Sequence, residues 1–153
     1  MNKRKIVFLT GTRADFGKLK PLMDKVEKSE TFDCHIFITG MHTLEKYGNT
    51  YKEVMKCNYQ NTFVYENQNN SHEQDTILAD TINGFSQYVK DLQPDMIIVH
   101  GDRVETLGGA IVGSLNNILV SHIEGGEISG TVDELIRHAV SKLSHIHFVA
   151  NLE

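Results

Sequence analysis

His100, Asp102, His122 and Glu124 stand as two pairs, His-x-Asp and His-x-Glu, each behind an apolar run. In an extended chain residues i and i+2 share a face, so both pairs can point the same way. Two chemistries fit. Imidazole and carboxylate on one face can ligate a metal, or the histidines can be satisfied structurally by carboxylates and backbone. Neither pair is a standard ligand set, and the adjoining Gly101 and Gly125 mark strand ends, so no metal and no other cofactor is expected. Asp133 and Arg137 lie four residues apart at the border of an apolar stripe, where they pair with each other or serve as an ordinary surface ion pair. A helix dipole favours an acidic residue in the first turn, which suits Asp133 to a base. Asp102, Glu124 and Asp133 together put three carboxylates where one cleft can gather them. Like-charge repulsion then raises at least one pKa and makes acid and base from one residue type.

A second polar group lies near the amino end, in Gly11-Thr-Arg-Ala-Asp-Phe-Gly-Lys18. Arg13 and Lys18 flank a helix start, a natural place for an anion. The segment is not a dinucleotide fingerprint: Gly17 comes too late, and Thr39-Gly40 stands where an acidic residue is required.

These residues need a scaffold, and the punctuation is that of an α/β sheet. Lys5–Leu9, Cys34–Thr39, Met96–Val99, Ile118–Ser121 and His145–Val149 read as strands, with Thr62–Tyr65 as a short edge strand. Helical spacing covers 15–28, with Pro21 either kinking the helix or marking a start near Lys20. A short helix is expected over 43–47. Longer ones follow Ser71-His-Glu-Gln74, run to about 115, and follow Thr131-Val-Asp-Glu134, the first and last opened by capping boxes. Gly108, Gly109 and Gly113 allow one helix to approach the sheet closely. His145 and His147 alternate with Ile146 and Phe148, as on the outer face of an edge strand. Continuous apolar strands separated by helices predict an α/β fold with a mostly parallel sheet and helices on both faces. Ligands of such sheets bind beyond the carboxyl ends of the strands. The sets at residues 11–15, 40–42, 100–103 and 122–127 should therefore meet on one rim.

Composition narrows the class. With 153 residues, 40% hydrophobic and only two prolines, the chain suits one folded domain and not a disordered one. A net charge of −5 gives no support for nucleic-acid or membrane binding. The charge is uneven, however: nine basic and six acidic residues precede position 51, six and fourteen follow. The run Ile6–Leu9 is too short for a signal peptide, and two cysteines without a CxxC spacing suit a reducing, cytoplasmic setting, with Cys34 in the core.

Gly11–Lys18, His100-Gly-Asp-Arg103 and His122–His138 closely resemble the hydrolysing UDP-N-acetylglucosamine 2-epimerases, which supply N-acetylmannosamine for sialic-acid synthesis. The likeness extends through Leu143–Val149. Non-hydrolysing 2-epimerases share only a shorter pattern, and a non-catalytic binding or assembly module is the alternative of another class. The resemblance implies the N-terminal half of a glycosyltransferase-B-type fold, with residues 1–153 as its first Rossmann-like domain, incomplete at the C-terminal end and without the second domain. It implies a UDP-sugar as substrate and a homodimer for the full-length protein. By motif, Arg13, Asp15 and Lys18 lie near diphosphate and sugar. Asp102, Glu124 and Asp133 are the acid-base carboxylates with Arg137 beside them, and His42, His100, His122 and His138 make sugar or supporting contacts.

Overall fold

The computed structural model describes residues 2–68, 73–125 and 130–150. The strands are β1 (Arg4–Thr10), β2 (Phe32–Ile38), β3 (Thr62–Val64), β4 (Met96–His100), β5 (Leu119–Ile123) and β6 (Ile146–Phe148). The helices are α1 (Arg13–Glu27), α2 (Tyr51–Met55), α3 (Gln74–Leu92), α4 (Val104–Leu115) and α5 (Val132–Leu143). All strand pairings are parallel, in the order β3-β2-β1-β4-β5-β6. This is the doubly wound order of nucleotide-binding sheets, with its switch point between β1 and β4.

Alternating residues of each strand feed two cores. Ile6, Phe8, Cys34, Ile36 and Ile98 pack with Phe16, Leu19 and Met23 of α1 and Val54 of α2. Val7, Leu9, Ile97, Val99 and Val120 pack on the other face with Phe85 of α3, Ala110 of α4 and Val140 of α5. Burial on both faces is why these strands read as unbroken apolar runs. The glycines of α4 set its distance from the sheet. A Cβ at Gly113 would lie 2.5 Å from Val120, and one at Gly109 would lie 3.0 Å from Leu9.

Several boundaries differ from expectation. α1 begins at Arg13 and runs through Pro21, because Thr12 and Asp15 form a reciprocal capping box that starts it earlier. In place of one helix over 43–47 there are two 3-10 turns, Gly40–Thr43 and Glu45–Tyr47, followed by α2. Ser71 and His72 of the first expected capping box lie outside the described residues; Glu73 occupies the N-cap and makes no side-chain capping bond there. The second box does not form. Thr131 is the N-cap of α5 without a side-chain capping bond, and Glu134 reaches back to accept from the Gly130 N–H instead. β6 is an edge strand as predicted, with His147 exposed on it and His145 exposed just before it. His145 Nδ1 accepts from the Val120 N–H at 3.1 Å. Cys34 is buried in the core and both cysteines are free.

Candidate active site

A parallel sheet sends every strand end to one rim, and α1, α4 and α5 all begin there. Their unpaired N–H groups and dipoles bias the rim toward anions. Between the ends of β1 and β4, at the switch point, opens a cleft of about 380 Å³. Thr12, Ala14 and Asp15 line one side, Met41 closes one end, and His100, Gly101, Asp102 and Arg103 form the other side.

Each charged group here has a defined partner. Asp102 Oδ2 accepts from Arg137 Nη2 at 2.7 Å, and the arginine side chain is only 7% exposed. Arg137 therefore reaches across to β4's end, where sequence spacing suggested Asp133 one turn earlier. Asp133 is exposed on α5 and makes no ion pair with a described residue. Glu124, just past β5, accepts from Lys18 Nζ at 2.6 Å. His100 Nε2 lies 3.0 Å from the other Glu124 oxygen, though not aligned as a hydrogen bond. Lys18 chiefly, with His100, holds the Glu124 carboxyl below its ordinary value. Crowding was expected to raise a carboxylate; at Glu124 the chief neighbour is the Lys18 ammonium and the shift is downward. Glu124 also has a φ of 60°, a left-handed backbone unusual for a side-chain-bearing residue.

The remaining predicted residues divide into rim and interior. Arg13 is exposed and pairs with Glu53 of α2 at 3.1 Å. His138 is exposed on α5 and contacts Glu134 at 3.3 Å. Asp15 is buried at the cleft floor, where its carboxylate accepts from the N–H groups of Gly11 (3.0 Å) and Thr12 (3.1 Å) and from the Thr10 hydroxyl. Burial raises its pKa despite those bonds. His42 is fully buried. Its Nε2 lies 2.8 Å from Thr10 Oγ1 and its Nδ1 2.8 Å from Thr50 Oγ1. Because Thr10 donates to Asp15, the ring donates from Nε2 and accepts at Nδ1. Burial lowers its pKa to about 4. His122 is likewise buried and its pKa lowered by burial; it donates from Nε2 to the Gly101 carbonyl at 2.8 Å and meets Ser141 at 3.1 Å. His42 and His122 thus fasten the rim loops together from inside.

Two residues escaped assignment from sequence. Arg103, the N-cap of α4, lines the cleft and also an adjoining cavity of about 150 Å³. Glu105 lies beneath it, buried. The signal that could have found the pair is a carboxylate in the first turn of a helix otherwise apolar on its inner side. No group of three or more His, Cys, Asp or Glu among the described residues is placed to hold a metal ion. None of the described helices is long and apolar enough to cross a membrane.

A profile of the family described as UDP-N-acetylglucosamine 2-epimerase matches residues 24–153. The chain belongs to this family. It is 52% identical over 148 residues to the UDP-N-acetylglucosamine 2-epimerase of Neisseria meningitidis serogroup B, covering 97% of this chain and 39% of that protein. It is 41% identical over 151 residues to the UDP-N,N'-diacetylbacillosamine 2-epimerase (hydrolyzing) of Legionella pneumophila, covering 96% and 40%. The crystal structure of the Methanocaldococcus jannaschii UDP-GlcNAc 2-epimerase in complex with UDP-GlcNAc and UDP superposes with a TM-score of 0.73 at 25% identity, covering 92% of this chain and 38% of that one. This 2-epimerase chain therefore spans about 40% of the length of the curated relatives it matches.

Proposed function

We propose that residues 1–153 supply the N-terminal, Rossmann-like domain of a hydrolysing UDP-N-acetylglucosamine 2-epimerase. In this reading a second domain of similar design closes over the rim. The complete protein converts UDP-GlcNAc and water to N-acetylmannosamine and UDP, for sialic-acid or related surface-polysaccharide synthesis. The observation that carries the reading is the switch-point cleft and the rim beside it, where two carboxylates are paired with cations: Asp102 with Arg137, Glu124 with Lys18. Identity to a hydrolysing relative supports water as the final acceptor.

The reaction needs a base that is ionised at neutral pH and a cationic surrounding for a departing diphosphate. A carboxylate takes the C2 proton, and the C2–H electron pair becomes the C1–C2 double bond. The C1–O bond breaks, and its electrons leave on the diphosphate. An acid on the opposite face then delivers a proton to C2, water adds through oxygen at C1 and gives up a proton that restores that acid, and the proton first taken from C2 leaves on the released diphosphate or to solvent. Glu124, held ionised chiefly by Lys18, and Asp102 beside Arg137 are the two candidates for proton handling. Arg13, Lys18 and Arg103 with the α1 N-terminus suit the diphosphate. His100, beside Glu124, faces the sugar, with Arg137, Asp133 and His138 on the α5 side of the rim. Asp15, His42 and His122 act beneath them by holding the loops.

Proton NMR of UDP-GlcNAc incubated with the protein at its relatives' length tests the reading. Free N-acetylmannosamine with UDP supports it. Accumulating UDP-N-acetylmannosamine would mean the non-hydrolysing reaction, and unchanged substrate would remove the enzymatic reading altogether.

A further inference from the structure

Glu105 is 1% exposed, yet it carries a carboxylate. Its neighbours come from every loop on the cleft's β3-to-β4 side. Oε2 accepts from Arg103 Nε at 3.3 Å. Oε1 lies 3.5 Å from Asn67 Nδ2 and 3.4 Å from Gln68 Nε2, on the connection between β3 and α3. Two glycines leave the space it fills. A Cβ on Gly40 would stand 2.8 Å from Oε1 and 2.7 Å from the Gly11 carbonyl, and one on Gly11 would touch the Glu105 side chain at 3.4 Å. Gly40 also has φ +64°, a conformation that glycine adopts freely. The turn after β1, the turn after β2, the connection after β3 and the start of α4 are thus all built against one buried side chain.

Its cation is not buried to match. Arg103 stands at the lip, a third exposed, and lines both cavities. The two Nη groups meet no partner among the described residues. A buried ion pair is weak evidence for stability, because apolar residues of similar volume generally do as well. What such a pair gives is orientation: a guanidinium gripped at Nε has its planar fork aimed in one direction. Carboxylates that orient a ligand-contacting side chain without touching the ligand are the general pattern of second-layer support.

We propose that Glu105 is a positioning residue, directing the Nη fork of Arg103 at an anionic group bound where the two cavities meet. This rests on the nucleotide-sugar reading above for the identity of that anion, the diphosphate, but not for the geometry.

The test has two readouts on the 153-residue chain. The first needs no ligand: hydrogen exchange of the arginine Nε–H groups by NMR. The Nε–H of Arg103 should exchange about ten-fold or more slowly than that of exposed Arg4, and Glu105→Gln should remove most of that protection. The second is titration with UDP followed by phosphorus NMR. Glu105→Gln and Arg103→Lys should each weaken UDP by about ten-fold, and the double variant should be no weaker than either single one, as for residues acting through one contact. Protection of Arg103 with no UDP binding by the wild-type chain would overturn the diphosphate assignment and leave the positioning role standing. Exchange of Arg103 as fast as Arg4 in the wild-type chain would overturn the positioning role by itself, even if Glu105→Gln does not fold. Additive losses of UDP affinity would overturn it too.

Discussion

The histidines around the cleft differ in what surrounds each ring. His138 meets solvent and Glu134, His100 sits against Glu124, and His42 and His122 are enclosed among hydroxyls and a carbonyl. Enclosure makes His42 a reporter of folding. Its pKa falls from 6.5 to about 4 on burial. Between those values the unfolded chain takes up a proton that the folded chain refuses. His42 therefore contributes stability that is fully present above pH 6.5 and is lost as pH falls toward 4, by up to about 3 kcal/mol. Urea unfolding at pH 7, 5.5 and 4.5 should show His42→Gln with a shallower loss of stability than wild type across this interval. His122 and His35 shift the same way and remain in both proteins. Asp15 shifts in the opposite sense, in a range beginning near 3.8, and is also common to both. Equal slopes would mean that His42 is protonated in the native state.

At the scale of elements, the start of α1 carries the largest concentration of polar bonding near the cleft. Thr12→Ala removes one capping bond and should cost about 1 kcal/mol. Asp15→Ala removes the other half of the box and also leaves two N–H groups and the Thr10 hydroxyl without their acceptor, so about 2–4 kcal/mol is expected. Chemical denaturation of both variants measures this; equal losses would show that Asp15 is held less firmly than its contacts indicate. This same segment marks the boundary of what was legible from sequence. The four inner strands, β1, β2, β4 and β5, were readable because each is an apolar run closed by a glycine, proline or asparagine on at least one side and buried on both faces. The convergence of residues 11–15 and 100–103 followed from parallel topology alone. The capping box Thr12–Asp15 carries a weak local signal, because Pro21 favours a later helix start and an aspartate after a turn suits a ligand equally well. The Asp133–Arg137 spacing fitted a helix pair, but nothing local reports that Asp102 waits on another strand. Glu105 was invisible for the same reason, since four of its neighbours are contributed by loops far apart in the chain.

For the molecule as a whole, two closed cores and an all-parallel sheet predict that residues 1–153 fold without help. β6 ends the sheet with Phe148 57% exposed, an edge open to pairing with another chain. Sedimentation should therefore show concentration-dependent self-association that Phe148→Lys reduces; a monomer at all concentrations would contradict it. Turnover is a separate matter. On the proposed two-domain reading residues 1–153 hold one wall of the cleft, so a coupled assay should detect no UDP release above that of Asp102→Asn, and release that disappears in that variant would show one domain to be sufficient. The division between a dry interior and a single polar rim also implies that tolerance to mutation is polarised. Positions in the cores are limited by folding, and positions on the rim by activity. Glu124 is where the two demands oppose each other, because its backbone sits at φ 60°, a conformation in which a side chain costs about 1 kcal/mol relative to glycine, while its exposed bridge to Lys18 returns little. A library selected only for cellular abundance should enrich Glu124→Gly. The same library selected for the proposed epimerase activity should purge it, and opposite enrichment at one codon would show reactivity kept at the expense of robustness.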